Sequence, residues 1–323
     1  MQLEVDRTRR LAAVVVGRAG IDLYPVPDGI ETEAAAHFAA EIGGSAGNIA
    51  VAICRQGLRA ALFGAVSDDA VGRFVRRHLE RFGVETTCFR TVPGLYRTSL
   101  AICETRPEDS ETVFYRNRAA DLQWCVEDVD AACVADATFL VLTGTALASE
   151  PSRAAARHAL VLAREAGTFS ILDIDHRPVS WTSAEEARGV LAEAAAHCDA
   201  IVGNDEEFAV IAPGADALAS AAALVRSGRR LAILKRGREG SIAITAGETI
   251  ETVSLAVPAK KPFGAGDAFL GSLVVGMHRE LPLRDALRLA TAGAAYVVMR
   301  RGCAFAMPTQ AELDQFMVEH SAN

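Results

Sequence analysis

Phe139-Leu140-Val141-Leu142-Thr143, then Ser152–Ala166, then Phe169-Ser170-Ile171-Leu172-Asp173-Ile174, then Ala184–His197, then Ala200-Ile201-Val202 follow one another through the middle of the chain. The short pieces are apolar runs, the pattern of strands buried on both faces, and the long ones space their apolar residues as one face of a helix does. Such a series builds a mainly parallel sheet with helices on both faces, an α/β fold. Working outward, Ala13–Val16, Ala60–Val66 and Leu231–Leu234 read as further buried strands, and Val71–Phe82 as a further amphipathic helix. Two stretches break the rhythm. Asp22–Glu41 begins polar and turn-rich, with Pro25, Pro27, Asp28 and Gly29. Arg97–Arg118 reads as strands Thr98–Glu104 and Thr112–Arg116 joined by Arg106-Pro107-Glu108-Asp109-Ser110, a β-hairpin. We read these insertions, about 22–41 and 97–118, as one small β lid on a single domain spanning 1–323; ordinary surface loops are the alternative.

Half of the 323 residues are hydrophobic, enough for a large core, and the formal net charge is -8. That balance gives no reason to expect nucleic acid or an anionic membrane as partner, and an anionic substrate would need local positive charge set against the global sign. The N-terminus has no apolar signal-like segment, and no apolar run approaches membrane-spanning length. The cysteines, at 54, 88, 103, 125, 133, 198 and 303, are odd in number and lack C-x-x-C spacing, which speaks against a zinc site or disulfide framework. A soluble protein of the reducing cytoplasm is expected.

The chemistry concentrates in Phe263-Gly264-Ala265-Gly266-Asp267-Ala268-Phe269, ahead of the helical pattern Leu270–Met277. Gly-Ala-Gly makes a tight turn without bulky side chains, and amides at a helix start offer an anion hole for a phosphoryl group. An aspartate in that turn can accept the proton of an attacking hydroxyl. Alone, the motif would equally be a helix start that Asp267 caps. Three further elements accompany it. Gly43-Gly44-Ser45-Ala46-Gly47-Asn48 opens the helical run Ile49–Arg55, its glycines permit close backbone approach, and Asn48 can bond sugar hydroxyls. Asn204-Asp205-Glu206-Glu207 follows a strand, where a carboxylate can hold a hydrated Mg²⁺ or simply favour a helix N-terminus. Lys235-Arg236-Gly237-Arg238-Glu239-Gly240 reads as a phosphate- or adenine-side loop, or equally as a plain hairpin turn.

Taken together, these elements resemble the ribokinase/phosphofructokinase-B family of sugar kinases over essentially the whole chain: Gly17…Asp22 after an early strand, Gly-Gly-x-x-x-Asn, Asn-x-x-Glu, Gly-x-x-Gly and Gly-Ala-Gly-Asp, in the family's order. Gly17-Arg18-Ala19-Gly20-Ile21-Asp22-Leu23-Tyr24-Pro25, Asp173-Ile174-Asp175-His176-Arg177-Pro178, Lys261-Pro262-Phe263 and Arg301-Gly302-Cys303-Ala304 are similar to the subgroup that phosphorylates 5-dehydro-2-deoxygluconate in inositol breakdown. The resemblance implies a ribokinase-like fold, ATP and Mg²⁺ as cofactors, and these roles. Asp267 is the base, and the amides of Gly264, Ala265 and Gly266 form the anion hole. Glu207, through water, and Asn204 organise Mg²⁺ and ATP phosphate. Lys235, Gly237 and Gly240 lie along the nucleotide, and Asp22, Gly44 and Asn48 bind substrate hydroxyls. Many members carry Asp-Thr before Gly-Ala-Gly-Asp as part of a monovalent-cation loop. Lys261 and Pro262 stand there instead, which leaves the cation open and suggests that the Lys261 charge replaces it.

An acidic sugar needs a cation in its pocket, and a guanidinium fork matches a carboxylate. Arg177, just past a strand end, and Arg116, closing the second lid strand, are the expected contacts, with Arg18 and Arg97 as further candidates; any one of them would otherwise be a solvated charge. The open contest over substrate lies between 5-dehydro-2-deoxygluconate, 2-keto-3-deoxygluconate and a neutral sugar such as fructose or ribose. A P-loop kinase is excluded, since the lysines are 235, 260 and 261 and none follows the required glycine pattern. A dinucleotide dehydrogenase lacks its G-x-G-x-x-G, and a non-enzymatic sugar sensor would have no need of Asp267. Exposed lid strands suggest a homodimer formed through the lid.

Overall fold

A run such as Leu-Ala-Ala-Val-Val-Val has no polar face to offer water, and β1 (Leu11–Val16) is accordingly buried along its full length. The computed structural model, which describes residues 5–106, 109–261 and 263–320, places it in a nine-stranded sheet. The expected Pro107-Glu108 link and Pro262 lie outside the described residues. The order across the sheet is β13 (Thr249–Thr252), β12 (Ser241–Ile244), β11 (Leu231–Lys235), β10 (Ala200–Asn204), β9 (Phe169–Asp173), β8 (Ala137–Thr143), β1, β4 (Ala60–Ser67), β5 (Phe89–Val92). Pairing is parallel from β5 to β11, and β12 and β13 add on antiparallel.

Helices cover both faces. The 152–166 and 184–197 helices fall where their spacing puts them, the second capped by Ser183, which accepts the Glu186 N–H at 3.1 Å. They share one apolar cluster with Phe63, Leu140, Leu142 and Trp124. On the opposite face the helices Ser45–Arg55, Ala265–His278 and Leu283–Val298 pack against Phe139, Val141 and Ile171. Two helices begin earlier than their apolar spacing announces, at Ser45 rather than Ile49 and at Ala265 rather than Leu270. Their first turns are small and polar because they face a cavity instead of the core.

The two insertions form one four-stranded sheet: β3 (His37–Gly43), β2 (Gly20–Val26), β6 (Leu100–Cys103) and β7 (Thr112–Tyr115). The hairpin β6–β7 was expected; the strands β2 and β3 were hidden by Pro25, Pro27 and a polar linker. They pair with each other antiparallel along their full length, and β6 from the second insertion runs parallel to β2 and joins the two insertions into one sheet, a pairing that local sequence does not announce.

Arg116, which follows β7, was expected to face down onto a ligand, and it does not. Its guanidinium pairs with buried Asp121 at 2.5 Å and donates to the Thr145 carbonyl at 3.0 Å and to Ser180 Oγ at 2.9 Å. A carboxylate 5% exposed demands a counter-charge, and Asp121 takes this one, pinning the lid hairpin to the body. Asp121→Ala would leave that guanidinium buried and unpaired. The expected outcome is a loss of about 3–5 kcal/mol in a urea unfolding titration, with Asp121→Asn losing less.

Candidate active site

At β1 the strand order reverses: β4 lies to one side and β8 to the other. Open α/β sheets bind ligands at such a switch point, beyond the carboxyl ends of the strands. The polar residues of the sheet are gathered there, with Arg18 and Asp22 after β1, Asp173 and Asp175 at the end of β9, Asn204 and Glu207 after β10, and Lys235 closing β11. They line one cavity of about 1090 Å³, with Ala101, Cys103, Thr112 and Phe114 on its lid side. The same cavity collects Gly44, Asn48, Arg177, Gly237, Gly240, Gly264, Ala265, Gly266 and Asp267. Of the residues singled out from sequence, Arg116 is not among its walls; nor is Arg97, which donates to the Gly94 and Tyr96 carbonyls at the surface.

Gly264 caps the Ala265–His278 helix with φ 80°, in the left-handed region where a side chain is strained, and a Cβ there would also stand 3.1 Å from Cys303 Sγ. No side chain caps this helix. The amides of its first turn therefore have no partner within the helix and lie at the cavity wall, as an anion site requires. Asp267 does not act as the cap. Its carboxylate accepts instead from Asn48 Nδ2 at 2.7 Å, and Asn48 Oδ1 is left buried with no partner among the described residues. Burial, and then the neighbouring Asp175, push the Asp267 carboxyl up to about 6, against the Asn48 hydrogen bond and the charges of Arg177 and Lys235.

Lys235 Nζ sits 3.1 Å from Asp173 Oδ1 and 3.9 Å from Glu207 Oε2. A methyl group added at Gly266 would lie 3.4 Å from that ammonium, so a fixed cation borders the bare helix start. Two positive features converging on one spot favour an anion between them. The Lys235–Gly240 segment is both things that its sequence allowed, a tight turn between β11 and β12 and a cavity wall. Beyond it Leu255, Val257, Ala294, Ala295 and Val298 form an apolar shelf of a size and character suited to a flat base. Glu207 and Asn204 form a reciprocal capping box, with Glu207 Oε2 accepting the Asn204 N–H at 2.8 Å. The described residues contain no group of three acidic, histidine or cysteine side chains that would cage a metal directly. The donor set fits a hydrated Mg²⁺ that shares its ligands with a nucleotide.

At the other end Asp22 is buried and accepts from Tyr24 Oη at 3.3 Å. A Cβ on Gly43 would strike the Asp22 carboxylate at 2.1 Å, which is why the paired glycines stand beside it. Burial raises the Asp22 carboxyl, opposed first by Arg18. Asp175 accepts from Ser45 Oγ and from Thr145 Oγ1 at 3.1 Å, and pairs with Arg177 at 2.9 Å. Neither Asp173 nor Asp175 has a role that its local sequence assigns; two acids in alternation at a strand's carboxyl end are the signal available there. The apolar shelf gave no such signal, because it comes from a loop and a helix distant in sequence.

A carboxylate beside a bare helix start, with a polar pocket on one side and an apolar shelf on the other, is the equipment of a carbohydrate kinase. Residues 11–310 match the model of the pfkB family carbohydrate kinases, and the chain belongs to that family. It is 37% identical to the 5-dehydro-2-deoxygluconokinase of Photobacterium profundum, over 98% of this chain and 97% of the relative. It is similar to a fructokinase double mutant from Vibrio cholerae solved with fructose, ADP and a potassium ion (26% identity, TM-score 0.83, 95% of this chain and 99% of that one). A putative ribokinase II from E. coli, solved with ATP and Mg²⁺, shares the fold (22% identity, TM-score 0.86, 95% and 99% covered).

A base that must be ionised loses activity as pH falls through its pKa. The expected profile of kcat/KM therefore drops on the acid side of about pH 6, with a slope of one. Asn48→Ala removes a hydrogen bond that holds the Asp267 carboxyl down, so its acid limb is expected at higher pH. A limb that stayed in place would separate Asn48 from the base.

Proposed function

We propose that this kinase transfers the γ-phosphoryl group of ATP to a primary hydroxyl of an acidic keto-deoxy sugar, 5-dehydro-2-deoxygluconate, as a cytoplasmic step of inositol breakdown. The observation that carries the reading is the placement of Asp267 at the bare helix start, in the wall of a cavity that Arg18, Asp22 and Arg177 also line. The relative of that name is similar over nearly its full length. The sugar binds beneath the lid, its hydroxyls facing Asp22, Gly44 and the free Oδ1 of Asn48, with Arg177 adding positive potential. ATP lies over the β11–β12 turn, with its base on the shelf and its phosphates towards Lys235 and the Gly264–Gly266 amides. Asn204 and Glu207 hold Mg²⁺ through water, and the ion, when bound, neutralises phosphate charge.

As the sugar oxygen attacks in line, Asp267 takes its proton, the bond from the γ-phosphorus to the bridging oxygen breaks, and ADP leaves. The helix amides and Lys235 meet the charge on the moving group, so that positioning and electrostatics do most of the work. Asp267→Asn is expected to keep the fold and lower kcat by about 100- to 10,000-fold. Near-normal turnover would remove Asp267 from the chemistry. A coupled ADP assay over 5-dehydro-2-deoxygluconate, 2-keto-3-deoxygluconate, fructose and ribose tests the substrate, and preference for a neutral sugar would leave the mechanism but refute the acid pocket.

Lys261 is 1% exposed and donates its ammonium to the Phe263 carbonyl, one residue before the helix cap. A built-in cation there makes an added one redundant, so K⁺ is expected not to stimulate turnover; a severalfold rise on adding it would overturn this. The edge strands β3 and β7 of the lid, with Phe38 and Tyr115 exposed, support a homodimer through the lid, and a monomer in sedimentation would refute it.

A further inference from the structure

Arg18 and Arg177 line the cavity beside Asp22 and Asp175, Arg116 lies behind its wall, and two of these three arginines have carboxylate partners. Arg116 is bound to Asp121, and Arg177 to Asp175. Arg18 differs. It is 7% exposed and lines the cavity, yet among the described residues its guanidinium has no hydrogen-bond or ion-pair partner. Its contact is the face of Phe114, on lid strand β7, at 5.8 Å from the ring centroid. A guanidinium carries five donors in a planar fork, and those of Arg18 open on the cavity, where a ligand can supply the acceptors that the protein does not. Its backbone is held in place, since the Arg18 carbonyl accepts the Gly47 N–H at 3.2 Å, so the fork projects from a fixed root between body and lid. Asp22 and Asp175 lie within reach of its charge but spend their short contacts elsewhere, on Tyr24, and on Ser45, Thr145 and Arg177.

We infer that Arg18 is the specificity-determining residue that grips the carboxylate of the sugar acid, with Phe114 of the lid stacked behind the fork, while Arg177 and Arg116 serve chiefly to neutralise Asp175 and Asp121. This deepens the function proposed above and rests on it. A planar fork beneath an aromatic ring accepts a flat carboxylate bidentately and offers less to a hydroxymethyl group. The position explains how a chain of net charge -8 admits an acid: at the lid side of the cavity Arg18 places a guanidinium that, among the described residues, has no carboxylate in contact.

The test compares Arg18→Gln, Arg18→Lys and Arg177→Gln in the full chain, with 5-dehydro-2-deoxygluconate and D-fructose as acceptors and with thermal melting and KM for ATP as controls on folding. The expected result for Arg18→Gln is a KM for the acid raised about 10- to 100-fold, with kcat much less affected, and a matching loss of preference for acid over fructose. Arg18→Lys keeps the charge without the fork and is expected to fall between wild type and Arg18→Gln, which also covers the case in which the glutamine variant folds poorly. An unchanged KM for the acid in a folded Arg18 variant, with a raised KM in Arg177→Gln, overturns the assignment and leaves the kinase reading intact. A wild-type protein that phosphorylates fructose but no sugar acid overturns the assignment together with the proposed acid substrate, and leaves the kinase mechanism standing.

Discussion

The Ala265–His278 helix starts without a cap, and the rest of the site is arranged around that fact. Unsatisfied amides at a buried helix end are costly unless something fills the space before them. Gly264 turns the chain sharply enough to leave them bare, the strand ends of β9, β10 and β11 bring polar side chains around them, and the lid sheet shields them from one side. In the function proposed above, a ligand phosphate would complete the hydrogen-bonding set that the protein leaves open, and binding and catalysis would draw on one feature, the same amides receiving the phosphate and meeting its charge in transfer.

Charge is distributed on the same plan. The protein is acidic overall, and several of its acids lie at the cavity floor: Asp22, Asp173, Asp175, Glu207 and Asp267. Most are held by a fixed partner, Asp173 by Lys235, Asp175 by Arg177 and Glu207 by its capping box. Asp267 is answered by a neutral amide, from Asn48, and burial keeps its carboxyl high enough to be a serviceable base near neutrality. Arg18, beside Asp22 in the cavity wall, has no such tie, and on the inference drawn above this separates it from Arg177 and Arg116, which neutralise Asp175 and Asp121.

The central architecture was legible because its periodicities are local. Apolar runs of strand length alternating with helical spacing identify a parallel sheet whatever the rest of the chain does, and the glycines of Gly-Ala-Gly-Asp mark a tight turn into a helix because they permit backbone conformations that other residues resist. The lid was half legible: β6 and β7 form a hairpin from adjacent sequence, whereas β2 carries Pro25, pairs with β3 across a polar linker, and gains a second partner, β6, from some eighty residues away.

The sequence by itself determined the parallel core of the sheet, the family, and most of the polar residues that the fold gathers in one cavity, since each depends on a residue's own chemistry and its near neighbours. Only the tertiary structure decided which side chains were free to act. Arg116 and Arg18 are the same residue type, each beside a lid strand, and nothing local distinguishes them. One has Asp121 within reach and the other has no carboxylate in contact, and that difference is made by chain segments brought together only on folding. A side chain's availability to a ligand depends on what else has claimed it, which is a property of three-dimensional packing.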